Sequence, residues 1–411
     1  MNLKSTAIMA SLLAAAFGAR AVAAEPVKIG CSMALTGGVA VNGKQVMMAF
    51  EIWRDDINKK GGLLGRPVQL DCYDDQSNPT NVPAIYTKLI ELDKVDLLVG
   101  PYATNMAVPA IPVLMQHNAT TIAVTALAAN SKFHYPGYFV MLPSGPDPKR
   151  AFAEGFFAVA KQIKPAPKTI AIAVADAEFA QNSADGARIG AKEAGLKIVY
   201  DRAYPPTTTD YAPIIRAIQA TNPDIVYNAG YNPDTIGMIH AAHEVGLKAK
   251  MFGGNMIGLA STTGRMQLGA EANGIVYSDV FSPSFNFPGL QALLAEYQER
   301  AKTAGTDPLG YGYVPFAYAA LQVLGDAVTA IGSFDQPKIA QYIHTHTFST
   351  VAGDIAFGPD GEWTKSRFVA EQFRNISGHG AEQFRDPKKV VVLWPSEYKT
   401  GTLQYPYDAS K

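Results

Sequence analysis

The 411-residue chain predicts an α/β protein of two Rossmann-like lobes, each a parallel sheet covered by helices. Three observations predict it. Short apolar runs alternate with longer amphipathic ones from end to end, which is the register of βα units. The alternation breaks at 141–148, where Pro143, Pro146 and Pro148 cluster around Gly145, and then resumes. Beyond an expected leader at 1–24 about 387 residues remain, more than one ordinary core accommodates.

The first series opens with "VKIGCSM" (27–33), a buried-strand pattern, then an amphipathic helix over 43–60 closed by Gly61-Gly62. It continues with "VQLDCYD" (68–74), a helix near 80–92, "VDLLVG" (95–100), a segment at 104–117 and "TTIAV" (120–124). The second series reads helix 149–162, "KTIAIAVA" (168–175), helix 181–195 and "LKIVYD" (196–201). Helix 210–221, "DIVYNAG" (224–230), helix 233–246 and "KMFGG" (250–254) follow. After "NGIVYSDVFSPSFNFPG" (273–289) two long helices, 287–304 and 313–331, run without an intervening strand. Strand-like pieces at 353–363, 367–375 and 389–395 and a Tyr- and Pro-rich tail end the chain.

At the N-terminus, Lys4 precedes a short apolar run (7–17) and small residues before Glu25, the pattern of a cleaved secretory signal peptide. The run is too short to span a bilayer, so an exported, periplasmic protein is expected. Without the leader, 33 basic face 36 acidic side chains. That balance leaves no electrostatic footprint for nucleic acid or an anionic membrane. The two cysteines, Cys31 and Cys72, both fall on predicted strands. Two buried thiols are the expectation; a bridge would require those strands to be neighbours in close geometry.

Enzyme signatures are missing. There is no Gly-x-Ser-x-Gly elbow, His-Glu-x-x-His or phosphate loop, and "GYGYVP" lacks the third glycine of a dinucleotide fingerprint. His344 and His346, two apart on a helix, point around the axis and cannot readily share a metal. Adjacent Asp74 and Asp75 at a strand end fit loop-amide acceptors better than an acid–base pair. No catalytic residue, metal or cofactor is expected. In "LLVGPYATN", by contrast, a strand ends at Gly100-Pro101 and delivers Thr104 with free backbone N–H groups. That arrangement suits an anion, unless Thr104 simply caps a helix.

"IGCSMALTGG", "GGLLGRPVQLDCYDDQSNP" and "VDLLVGPYATN" together resemble the N-terminal half of the leucine/isoleucine/valine-binding proteins, the periplasmic receptors of ABC importers. "TNPDIVYNAGYNPDTIGMIHAAHEVGLKAKMFGGN" is similar to the middle of their second lobe, and "GDIAFGPDGE" to the segment near their last hinge. The resemblance implies the type I periplasmic-binding-protein fold, two lobes joined by a three-segment hinge with the ligand between them. It implies crossings near 141–145, 277–281 and 362–367. The first lobe would be 25–143 plus 279–364 and the second 144–278 plus 365–411. A small carboxylate-bearing ligand and a membrane ABC permease are the implied partners, with the receptor acting as a monomer. A ligand-sensing receptor on the same fold is the alternative.

Carried over by the resemblance, Thr104 would hold the ligand carboxylate, in a turn before a helix starting near Ala107. Thr125 and Ala126 would present backbone groups, and Phe179 and Tyr231 would form aromatic walls. Asn42 matches a position near the cleft mouth that is often aromatic. Two departures stand out. Leu127 replaces a hydroxyl residue, and Asn255 replaces the carboxylate that holds a ligand ammonium. An amide accepts a hydrogen bond but cannot neutralise a cation, so a carboxylic acid without an ammonium is favoured over an amino acid.

Overall fold

The computed structural model describes residues 25–409; the expected leader lies outside the described residues. The first series forms β1 (Val27–Met33), α1 (Ala40–Lys59), β2 (Val68–Asp74), α2 (Val82–Glu91) and β3 (Leu97–Leu98). It continues through α3 (Thr104–Gln116), β4 (Thr121–Ala123) and β5 (Tyr138–Val140). The strands β2-β1-β3 lie in that order, all parallel, and β4 pairs with β5 in parallel. Central β1 is almost wholly buried, whereas edge strand β2 is half-buried along its length, so strand position accounts for the difference in their patterns.

The second series comprises α4 (Pro148–Ala160), β6 (Thr169–Ala175), α5 (Glu178–Glu193), β7 (Lys197–Tyr204) and α6 (Ala212–Ala220). Then come β8 (Ile225–Gly230), α7 (Asn232–Val245), β9 (Lys248–Ala249), β10 (Met251–Met256), α8 (Thr262–Leu268) and β11 (Val276–Asp279). The chain returns to the first lobe with α9 (Leu290–Ala304), α10 (Val314–Ile331) and α11 (Gln336–Thr345), then the hairpin β12 (Thr347–Thr350) and β13 (Gly353–Ala356). Helix α10, as apolar by composition as a spanning helix, is largely buried and packs on α1 and α11. Finally β14 (Val369–Phe373) and β15 (Val390–Trp394) add antiparallel to the second sheet, and β16 (Tyr407–Asp408) pairs with β9. That sheet runs β15-β14-β11-β10-β8-β6-β7, its interior strands fully buried and its edge β7 largely exposed.

The structure differs from the sequence reading at three points. Helix α3 begins at Thr104 rather than near Ala107, with Pro109 and Pro112 inside it. Ala103 holds a φ of 78°, and its carbonyl accepts from the amides of Met106 and Ala107, so the first turn closes before either proline forfeits a bond. Helix α11, only ten residues long, is absent from the sequence reading. The cysteines form a disulfide instead of two thiols. Strands β1 and β2 are parallel neighbours in a register that sets Cys31 opposite Cys72, with Cα atoms 4.5 Å apart. Periodicity marks both strands but cannot reveal that pairing.

Two chain crossings lie side by side. Ser144 and Ser366 form an antiparallel bridge, and the Arg367 amide donates to Pro143 O. Gly361 passes over β5 with a φ of 73°, and a Cβ there would sit 1.8 Å from the Tyr138 carbonyl oxygen, so no side chain fits. Next to it, buried Glu362 accepts a hydrogen bond from the Ser144 hydroxyl at 2.6 Å. Burial pushes the Glu362 carboxyl up to about 8, against the opposing effect of that hydroxyl.

Opening the disulfide as Cys31→Ala/Cys72→Ala frees a 41-residue loop in the unfolded chain. Denaturant unfolding should show a loss of about 2–5 kcal/mol. Glu362 is protonated in both states below its ordinary value of 4.5, and its contribution to stability is lost as pH rises from there towards 8. Glu362→Gln should therefore match the wild type in melting temperature at the acid end and exceed it by several degrees at the alkaline end of that window; parallel curves would refute this.

Candidate functional site

The C-terminal ends of the strands in both lobes face one another around a mostly apolar cavity, the place where parallel sheets bind ligands. The turns after β3 and β4 build its first-lobe wall. Ala103 N–H donates to Thr125 O at 3.1 Å, and Leu127 N–H donates to the Thr104 hydroxyl oxygen at 2.8 Å. The two turns thus hold each other. Thr104 is 2% exposed and its own hydroxyl proton has no acceptor among the described residues. The amides of Thr104 and Ala126 are likewise unengaged. Local folding therefore presents a hydroxyl proton and free N–H groups at a helix start, a set of donors suited to a carboxylate.

Opposite stand aromatic and aliphatic side chains. Phe179 lies in the first turn of α5 and Tyr231 caps α7, their ring centroids 5.4 Å apart, and Phe152 of α4 lies 6.1 Å from Phe179. Thr104, Thr125, Ala126, Leu127, Phe179 and Tyr231 all line the cavity. Asn42 and Asn255 do not. Asn255 of β10 is fully buried and donates to the hydroxyl of Ser183 on α5 at 2.7 Å. Asn42 is buried within the first lobe, bonded to Tyr102 and Tyr313.

Tyr102, Tyr277 and Tyr313 complete the wall and were missed by the sequence reading. Tyr313 belongs to "GYGYVP", which was weighed only as a nucleotide motif, and Tyr277 to "VYSDVF", which spans β11 and the turn after it. Burial raises all of their phenols, that of Tyr102 to about 12, so they remain hydrogen-bond donors at neutral pH. Asn105 and Asn182 were missed as well. Phe179 N–H donates to Asn105 Oδ1 at 3.2 Å, and Asn182 Nδ2 donates to Leu127 O at 2.9 Å, each bond crossing between the lobes. Asn182 was findable, since it follows Phe179 by three on α5 and so shares its face.

Among the described residues no charged side chain lines the cavity. Three nearby carboxylates are engaged elsewhere, while buried Glu371, paired across the strands with Tyr277, makes no hydrogen bond and lies 4.0 Å from Arg265. Asp279 accepts from Arg265 at 2.7 Å and from the Val280 amide, Asp234 from the Tyr231 amide and the Tyr211 hydroxyl, and Glu178 pairs with Lys132 at 3.2 Å. Asp74 and Asp75 accept from loop groups around Leu35, Thr36 and Ser77, far from this wall in role.

Residues 26–372 match the periplasmic binding protein family. The chain belongs to that family. Its relatives include the Leu/Ile/Val-binding protein of Escherichia coli K12, 26% identical over 366 residues, 88% of this chain and 94% of that one. A Leu/Ile/Val-binding protein of Rhizobium johnstonii is 27% identical over 371 residues, 90% of this chain and 96% of that one. Among solved structures, an ABC-transporter solute-binding protein of Rhodopseudomonas palustris in complex with p-hydroxybenzoic acid aligns with a TM-score of 0.74 at 22% identity. That alignment covers 86% of this chain and 95% of that one. A leucine-binding protein of Thermotoga maritima aligns with a TM-score of 0.71 at 21% identity, over 85% and 96% of the two chains. The type I binding-protein fold and the Leu/Ile/Val-binding likeness are thus shown for this periplasmic binding protein.

Thr104→Ala strips the Leu127 amide of its acceptor in a buried turn. Thermal or denaturant unfolding of the unliganded protein should register a loss of about 1–3 kcal/mol, with Thr104→Ser close to wild type. An unchanged Thr104→Ala protein would show the bond to be dispensable.

Proposed function

We propose that the protein is the exported, periplasmic solute receptor of an ABC importer, and that its ligand is a carboxylic acid with an apolar or aromatic body and no ammonium group. One observation carries the choice of ligand: the cavity is walled by hydroxyls, amides and aromatic faces, without a side-chain charge. A carboxylate can be met by the Thr104 hydroxyl and the amides of Thr104 and Ala126, whereas an ammonium would find no carboxylate among the lining residues. Leaving such a cation unpaired in a closed cavity costs several kcal/mol. Relatives named for branched-chain amino acids and a fold neighbour holding p-hydroxybenzoic acid show that both ligand classes occur in this fold.

In this reading residues 25–143 with 279–364 move as one lobe and 144–278 with 365–411 as the other. The ligand touches both, which favours the closed form, since only differential contact shifts such an equilibrium. The closed monomer then docks on a membrane permease, and the solute is handed on without chemical change.

Calorimetric titration of the refolded, ligand-stripped protein tests this. The panel pairs leucine with 4-methylpentanoate, phenylalanine with 3-phenylpropionate, and adds benzoate and 4-hydroxybenzoate. At least one plain acid should bind, on the order of 100-fold tighter than its amino counterpart. Tighter binding of the amino acids would overturn the ligand assignment.

A further inference from the structure

Asn42 lies outside the cavity wall, yet it ties two residues of that wall to the opposite lobe. It sits in the first turn of α1 and is fully buried. Its Nδ2 is 2.7 Å from the Tyr102 hydroxyl, 3.1 Å from the Tyr313 hydroxyl and 3.0 Å from Asn232 Oδ1. Tyr102 and Tyr313 face the cavity from the first lobe; Asn232 opens α7 in the second, beside the wall residue Tyr231.

A primary amide has two protons, and here it faces three oxygens. The phenols resolve the shortage. Tyr102 and Tyr313 pack edge to face with centroids 5.1 Å apart, and the Tyr102 hydroxyl donates to that of Tyr313 at 3.4 Å. Asn42 is then free to give one proton to Tyr102 and the other to Asn232 across the cleft. A single proton is left over, that of Tyr313, which has no acceptor among the described residues and belongs to a residue of the cavity wall.

We infer that Asn42 is a latch. A ligand oxygen that accepts from Tyr313 completes a chain of hydrogen bonds running through Tyr102 and Asn42 to Asn232, so filling the cavity strengthens a bond between the lobes. With the Tyr313 proton held by the ligand, the Tyr313 oxygen accepts from Tyr102, so neither Asn42 proton is drawn to Tyr313 and one stays on Asn232. Asn42 is a positioning residue in this scheme, since it touches no ligand. The inference rests on the cavity being the ligand site, and it adds a requirement: the ligand carries an acceptor oxygen within reach of Tyr313.

The test uses the full mature chain with one fluorophore on each lobe to report the closed fraction. Asn42→Ala, Asn232→Ala and Tyr313→Phe are compared singly and in pairs, with the panel compound that binds the wild type most tightly. Each single change should raise the dissociation rate about tenfold, and Asn42→Ala with Tyr313→Phe should exceed either alone by no more than about twofold. Additive losses, about a hundredfold for the pair, would overturn the latch. So would wild-type rates in Asn42→Ala. Should Asn42→Ala fail to fold, Asn232→Ala, altered at a partly exposed helix start, carries the test in the same cycle with Tyr313→Phe. If no panel compound binds, the ligand reading fails by itself, and the closed fraction of the unliganded protein decides the latch. A lower fraction in Asn232→Ala than in wild type supports it, and equal fractions refute it.

Discussion

The hydrogen bond from the Leu127 amide to the Thr104 hydroxyl is the constraint on which the cavity depends. It joins the turn after β3 to the turn after β4 and consumes the hydroxyl as an acceptor, leaving its proton to be donated. Together with the bond from Ala103 N–H to Thr125 O, it holds Ala103 in a backbone region that costs a non-glycine residue on the order of 1–3 kcal/mol. Strain of this kind persists only where the surroundings over-determine it. Here the reward is a cluster of donors facing the cavity without a charged side chain among them.

The absence of charge from that wall has a counterpart in the way the lobes meet. The cross-lobe bonds nearest the cavity use asparagine amides: Asn105 accepts from Phe179, Asn182 donates to Leu127, and Asn42 donates to Asn232. A neutral amide is far less costly to strip of water than an ion, so contacts of this type can form and break as a hinge moves. One ion pair between the lobes, Lys132 with Glu178, is placed towards solvent. The charged groups behind the wall are locked to one another, with Arg265 bound to Asp279 at 2.7 Å, and so add no free charge to the cavity. The field an occupant meets is that of oriented hydroxyls, amides and ring faces.

At the rear, the crossings are organised by sterics and by one buried acid. Gly361 permits the close pass over β5 that puts Glu362 against Ser144, and the Ser144–Ser366 bridge keeps two crossings in step. A carboxyl raised by burial to about 8 is neutral over most of the physiological range. It therefore acts there as a polar but uncharged anchor between segments that must bend together.

The sequence by itself determined the βα register and the two lobes, because apolar periodicity is local. The positions Thr104, Thr125, Ala126, Leu127, Phe179 and Tyr231 came from the family resemblance, and they fall on the cavity because parallel sheets present their loops at strand ends. Tertiary structure alone decided the rest. Whether Cys31 meets Cys72 depends on which strands are neighbours and in what register, information that no single strand carries. Asn255 aligned with a ligand-facing position, yet strand alternation turns it towards α5 and Ser183. Tyr102, Tyr277 and Tyr313 reach one cavity from segments 211 residues apart at the extremes, and Asn42 reaches Asn232 across 190 residues. Such meetings are products of chain crossing and lobe closure, and a hydrogen bond between distant residues leaves no periodic trace in the sequence.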